Sequence, residues 1–248
     1  MERALNPLVT LKDPDTGKIW KVDQFKEIKN VNADVYERWV VNCVVPKDVL
    51  QKLIQVDFLE PVLVKGKAVL SLCAIFMRHA APAWMPLNMG PGSHNCALRV
   101  ACTDTRDGSP AVWVDKRHTD SFLGPVLGLL GFPPVITGLK VKQREDELKF
   151  ICKGRELVCE LQTGYGSQES LFDRDKDFDD YFCAGVRSYS PFGKGNRIEI
   201  IDLHKMTDNG FHKKELTGIL KTHLGEWAVE SVYLTENGLY KWAHEGQV

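Results

Sequence analysis

Two places in this 248-residue chain put reactive residue types in settings where they could do chemistry. The first is Arg99, set among Ala97, Leu98, Val100 and Ala101. A guanidinium in so apolar a run must be paired or face a wet cavity, because burying an isolated charge is costly. Facing a cavity, it could clamp a carboxylate through two parallel hydrogen bonds. On an outward-facing strand edge it would make an ordinary salt bridge instead. The second place is Asp115-Lys116-Arg117-His118-Thr119-Asp120, the densest polar cluster beside a long apolar run. A histidine between basic and acidic neighbours can titrate near neutrality, so Lys116 and His118 are the candidate catalytic pair. The alternative is a solvated corner in which Thr119 or Asp120 caps a following helix.

Other polar residues are candidates for substrate binding because of where they fall. Arg78 and His79 end a long apolar stretch, and His94 precedes the Arg99 run. These three could converge with Arg99 at one mouth of a barrel, although each alone reads as structural. Glu160 lies between Cys159 and Leu161, and alternation makes it a buried carboxylate able to pair with Arg99. Arg187 is a similar candidate. The seven cysteines show no CxxC spacing, and the seven histidines no HxxxH or HExxH. Neither a disulfide framework nor a metal site is expected, and a reducing compartment is. There is no P-loop and no GxGxxG following a strand, so no cofactor is expected. A net charge of -1 gives no field to recruit nucleic acid or an anionic membrane. The acidic run at 173–180 lacks the central Gly and final Glu of a calcium loop and reads as a solvated turn or helix, with a protein-interaction role a weaker alternative.

The elements that must position these residues are mostly strands. Strands are expected at 38–45, 67–77, 95–103, 111–115, 136–143, 148–152, 157–161, 181–189 and 197–204, with a last hairpin around Glu236-Asn237-Gly238. Asp107-Gly108 and Lys153-Gly154-Arg155 mark tight turns. Short amphipathic helices are expected at 46–55 and 213–229. Residues 121–139 carry no charge over 19 positions, about the minimum to span a bilayer, but three prolines and four glycines would leave backbone groups unpaired in lipid. The expectation is a buried loop with a short helix, in a cytoplasmic protein. The pattern is that of one β-rich α+β domain over residues 1–248, with 1–35 an irregular arm and an antiparallel barrel-like or sandwich-like sheet.

The order of these pieces resembles the acetoacetate decarboxylase-like superfamily, closest to an uncharacterised bacterial branch. The resemblance runs through VVPKDVLQKLI at 44–54, KAVLSLCAIFM at 67–77, and Asn95-Cys96-Ala97-Leu98-Arg99-Val100 with the Asp107-Gly108 turn. It continues through Pro110-Ala111-Val112-Trp113-Val114-Asp115 and Leu129-Leu130-Gly131-Phe132-Pro133-Pro134, covering roughly residues 36–165. That branch carries Glu-Leu-Asn-Val-Arg at the third piece; here Arg99 is kept and Asn95 stands in the place of the Glu. The resemblance implies a cone-shaped barrel with a buried site, a small keto acid or other organic acid as ligand, and a homo-oligomer. In the decarboxylases a lysine after the second hairpin strand forms a Schiff base, with a second lysine lowering its pKa. No lysine lies between Lys116 and Lys140 here, so imine chemistry is not expected. Two functions remain open: an enzyme working by acid–base or electrostatic catalysis, and a non-catalytic binder.

Overall fold

The computed structural model describes residues 9–12, 19–22, 29–121, 135–152, 156–164, 170–192, 197–207 and 209–248. Its strands are β1 (Val9–Lys12), β2 (Ile19–Val22), β3 (Asn30–Val45), β4 (Leu59–Pro61), β5 (Leu63–Val64), β6 (Lys67–Pro82), β7 (Ser93–Asp104), β8 (Pro110–Val114), β9 (His118–Thr119) and β10 (Ile136–Thr137). They continue as β11 (Lys140–Gln143), β12 (Glu147–Ile151), β13 (Leu157–Thr163), β14 (Arg187–Phe192), β15 (Arg197–Lys205), β16 (His212–Lys214), β17 (Leu216–Thr222), β18 (Gly225–Ala228) and β19 (Ser231–Gln247). The helices are α1 (Lys47–Leu53) and α2 (Asp175–Cys183). None among the described residues is long and apolar enough to cross a membrane.

The largest sheet closes on itself. In the order β7-β8-β14-β15-β19-β3-β6 each strand is hydrogen-bonded to the next, and β6 returns to pair with β7. The result is a seven-strand barrel. Closure removes the free edges that a sheet would otherwise expose. All neighbours in the ring are antiparallel except β8 and β14. The β7–β8 turn is tight because Gly108 adopts φ +75°, the region the Asp107-Gly108 pair was expected to supply. Asp104 anchors that turn: it accepts from Arg106 and from the Tyr189 hydroxyl on β14, at 2.6 and 2.8 Å.

Alternation around this ring separates an inner from an outer face. On one face β15 and β19 carry Asp202, His204, Leu239 and Lys241, which are exposed or half-buried. On the other they carry Glu199, Ile201, Tyr233 and Tyr240, all buried. The register carries this second, inward face round the ring through Arg38, Val40 and Asn42 on β3, Ser71 and Cys73 on β6, and Ala97 and Arg99 on β7. It is rich in small and polar side chains. The outer face on the opposite side of the barrel is apolar: Trp39, Val41, Leu70, Leu72, Phe76, Leu98 and Val100. A five-stranded sheet in the order β11-β12-β13-β17-β18 covers it with Leu148, Phe150, Cys159, Leu161 and Leu220. The main core therefore lies outside the barrel, between the two sheets.

Several expectations need correction. The helix expected at 213–229 is β16, β17 and β18, because Leu216, Leu220 and Trp227 satisfy the spacing of a helix as well as that of strands facing a core. The hairpin expected around Asn237 is a single long strand, β19, in which Asn237 at φ +53° makes a local irregularity rather than a reversal. The strand expected at 181–189 is the end of α2 followed by β14. β3 begins at Asn30, inside the segment expected to be an irregular arm. The expected single sheet is accompanied by the five-stranded layer and a β1–β2 pair. Most of the apolar run at 121–139 lies outside the described residues, as does the Lys153-Gly154-Arg155 turn.

Gly218 is where the second sheet is tightest. A Cβ there would sit 1.9 Å from the Glu160 carbonyl oxygen on the neighbouring β13. Gly218→Ala is expected to lower stability by about 1–3 kcal/mol, the cost of overpacking, measured as a fall in the urea midpoint at unchanged slope.

Candidate anion site in the barrel lumen

Two arginines project into the barrel, and their placement follows from strand register. Arg99 on β7 stands opposite Ser71 on β6, which stands opposite Asn42 on β3. Arg38 lies on β3 four residues before Asn42, on the same inward face. Both are buried, at 5% exposure for Arg38 and 7% for Arg99. Neither has a carboxylate partner among the described residues. Elsewhere the chain pairs its arginines in the usual way, as with Arg78–Asp34, Arg106–Asp104 and Arg187–Asp202.

Helix α2 closes over these charges. Its first turn is fixed by Arg174 and Asp177, whose side chains and backbone exchange hydrogen bonds. Its apolar side, Phe178 and Phe182, packs with Val40, Val69, Cys73, Phe211 and Tyr233. Phe178 stacks on Tyr233 with centroids 3.8 Å apart. Phe182 reaches the arginines: its ring centre is 3.6 Å from the Arg99 Cζ and 4.9 Å from the Arg38 Cζ. Its carbonyl accepts a short hydrogen bond from Arg99 Nη2. Arg38 also lies 5.3 Å from the Tyr240 ring, and its Nε is buried with no hydrogen-bond partner. Cation–π contact and one carbonyl stand where a carboxylate would ordinarily be.

The electrostatics follow from that arrangement. Burial pushes the Arg99 pKa down to about 10, and repulsion from Arg38 adds to it. For Arg38, burial acts in the same downward sense but is outweighed by the Cys73 thiol and the Tyr240 hydroxyl, so its pKa is raised. Tyr181 is pushed up to about 12 by burial and remains a neutral phenol. The inward face around Arg38 and Arg99 is therefore buried and positive, with Ser71 donating to Asn42 at 2.7 Å at one side. The chemistry of two buried guanidinium groups is that of attraction for an anion and stabilisation of negative charge developing beside them.

A second polar group, absent from the sequence candidates, faces the lumen. Glu199 on β15 is 2% exposed. It accepts from Gln247 at 2.6 Å and makes a short contact with His244 Nε2. Arg117 is close enough for Glu199 to resist the burial that pushes its pKa down to about 10. Glu199 and His244 lie almost fifty residues apart and meet only because β15 pairs with β19. The one available signal was a glutamate in the otherwise apolar Ile198-Glu199-Ile200-Ile201 run. Among the described residues there is no group of three or more His, Cys, Asp or Glu placed to hold a metal ion.

The other candidate residues do not gather around Arg99. Lys116 is exposed and pairs with Glu156 at 3.3 Å. His118 is buried, but it stands opposite Cys96 in register, on the face opposite to Arg99. There it neighbours Cys152, whose thiol pKa is lowered by its hydrogen bond with Cys96 and then by His118. His94 also faces outward, between Asp120 at 2.6 Å and the Tyr36 hydroxyl at 2.8 Å. Arg78 is exposed and bonded to Asp34 and Asn237. The His79 ring contacts the Gly90 carbonyl at 2.9 Å. Glu160 is no buried partner for Arg99, since it lies exposed on the second sheet and pairs with Lys149. Alternation on β13 sends Cys159 and Leu161 to the core and Glu160 to solvent. Arg187 is exposed and tied to Asp202.

If Arg99 is kept for a ligand rather than for the fold, removing its charge relieves the empty protein. Arg99→Met is expected to be at least as stable as the parent in thermal melts without ligand, because a buried unpaired cation is replaced by an apolar side chain of similar length. A loss of more than about 2 kcal/mol would assign the guanidinium a structural role.

No family model matches the chain, and no curated protein matches it. Solved structures do. An acetoacetate decarboxylase from Legionella pneumophila superposes with a TM-score of 0.59 at 16% identity, over 88% of this chain and 87% of that one. An acetoacetate decarboxylase-like enzyme from Sphingomonas wittichii gives 0.54 at 11% identity, over 91% and 94%. The enduracididine biosynthesis enzyme MppR, complexed with pyruvate, gives 0.53 at 11% identity, over 98% of each. The closed barrel, the covering sheet and the buried lumen of this chain make up the acetoacetate decarboxylase-like fold.

Proposed function

We propose that the barrel lumen binds a small organic acid, of the keto-acid class, by its carboxylate, with Arg99 as the principal anchor. The observation that carries this reading is the burial of Arg99 and Arg38 with no carboxylate partner among the described residues, and with the Arg38 Nε left unpartnered. A folded chain retains so costly an arrangement when something outside the chain completes it. The pyruvate complex of one structural neighbour supports the same class of ligand.

Chemistry on such a ligand would be electrostatic and acid–base. The guanidinium groups would hold the carboxylate and stabilise charge developing at the adjacent carbonyl, and His244 with Glu199 would carry a proton. An imine route is disfavoured. The lysines at inward positions of the described ring strands are Lys67, exposed at the start of β6, and Lys205, at the end of β15, where it donates to the Asn209 carbonyl at 2.5 Å; both stand at strand ends. That observation also favours a second reading, in which the lumen binds its acid without transforming it. Incubating pyruvate with the protein in D2O separates the two: methyl-proton exchange above the buffer rate is turnover, and its absence leaves a binder.

Pyruvate is expected to raise the melting temperature saturably, and Arg99→Gln to abolish that shift. No effect of pyruvate or of other short keto acids on the parent would remove the reading. Borohydride added to the pyruvate mixture is expected to leave the protein mass unchanged, while a reduced adduct would restore imine chemistry. Affinity should hold below pH 10 and fall as pH rises through about 10, because the binding form is the protonated Arg99. The folded-state pKa of Arg99 lies below its ordinary value, so its charge costs the fold stability below about pH 10 and that cost is relieved above it.

A further inference from the structure

We infer that the ligand of the lumen is dianionic: a short 2-oxo dicarboxylate, with one carboxylate on Arg99 and the other on Arg38. The inference rests on the reading of the lumen as an organic-acid site and specifies which acid it takes. Two cations are buried on one inward face. No carboxylate among the described residues pairs with either guanidinium, and those on the neighbouring segments bond elsewhere. Asp179 accepts from the Phe211 backbone, Asp175 from that of Lys213, and Glu230 from that of Leu171. Glu199 is held by His244 and Gln247. A monocarboxylate would neutralise one guanidinium and leave the other buried and bare. A dicarboxylate neutralises both, and in a low-dielectric lumen that difference is large.

Geometry sets the length of the ligand. The two Cζ atoms lie 3.6 and 4.9 Å from a single ring centre, so a chain of a few carbons reaches both. Phe182 holds that space: its ring lies against both cations and its carbonyl occupies one Arg99 donor. An incoming carboxylate takes the place of that carbonyl with two charge-assisted bonds, and the last turn of α2 gives way to admit it. The second carboxylate meets Arg38, whose Nε is the orphaned donor. The keto group then lies toward Ser71 and Asn42, the polar side chains in register with Arg99.

Calorimetric titration with 2-oxoglutarate and 2-oxopentanoate tests this, since the two share a five-carbon chain and differ in the second carboxylate. The parent is expected to bind 2-oxoglutarate at least tenfold more tightly. Arg38→Gln is expected to bring 2-oxoglutarate down to the level of 2-oxopentanoate while leaving the latter unchanged, and Arg38→Lys to recover part of the preference. Equal affinities in the parent, or an Arg38→Gln variant that weakens both acids alike while melting as the parent does, would overturn the inference and leave the organic-acid reading standing. Binding of neither acid would remove both.

Discussion

Two like charges buried in a closed barrel, with no carboxylate partner among the described residues, set the terms for the rest of this structure. Arg38 and Arg99 face inward because the β3–β6–β7 register allows no other direction for them. An isolated buried cation costs several kcal/mol even after relaxation. The chain offsets part of that with cheap substitutes: the face of Phe182, the ring of Tyr240 and one backbone carbonyl. Each is weaker than a carboxylate, and each can be displaced by one.

The remainder of the fold makes that cost bearable. Apolar packing is concentrated outside the barrel, where the five-stranded sheet covers Trp39, Leu70, Leu72, Phe76 and Leu98. Closure of the ring satisfies the backbone of every strand in it, and inside the ring apolar packing is confined to the smaller cluster beneath α2. The inward positions are then free to be small or polar, as Ser71, Cys73 and Ala97 are. Stability thus draws chiefly on the outer face of these strands, and the proposed ligand recognition on the inner face. Helix α2 joins the two: its Asp177 box and its Phe178–Tyr233 stack hold it in place, and its last turn lies on the arginines.

Much of this was legible in the sequence, for physical reasons that differ from residue to residue. The long apolar strands, the Asp107-Gly108 turn and the barrel-like class follow from patterning. Arg99 could be singled out because a charge in an apolar run is expensive wherever it points. Arg38 was not, because Glu37-Arg38-Trp39 reads as an ordinary polar start to a strand expected to begin there, and β3 in fact begins eight residues earlier. Glu199 and His244 meet through a long-range pairing that no local pattern encodes. His94 and His118 misled because they sit near Arg99 in sequence, while alternation along β7 and its pairing with β9 turn them to the opposite face. The strands at 212–228 resembled a helix because Leu216, Leu220 and Trp227 fit both periods.

The account stands on the claim that the two arginines are completed by an external acid inside the barrel. A crystal structure of the chain grown with 2-oxoglutarate tests it most directly. The account predicts a carboxylate within hydrogen-bonding distance of the Arg99 guanidinium, the second carboxylate at Arg38, and the Phe182 carbonyl displaced. Ligand density confined to the outer surface, with Phe182 still lying on both arginines at saturating ligand, would contradict it.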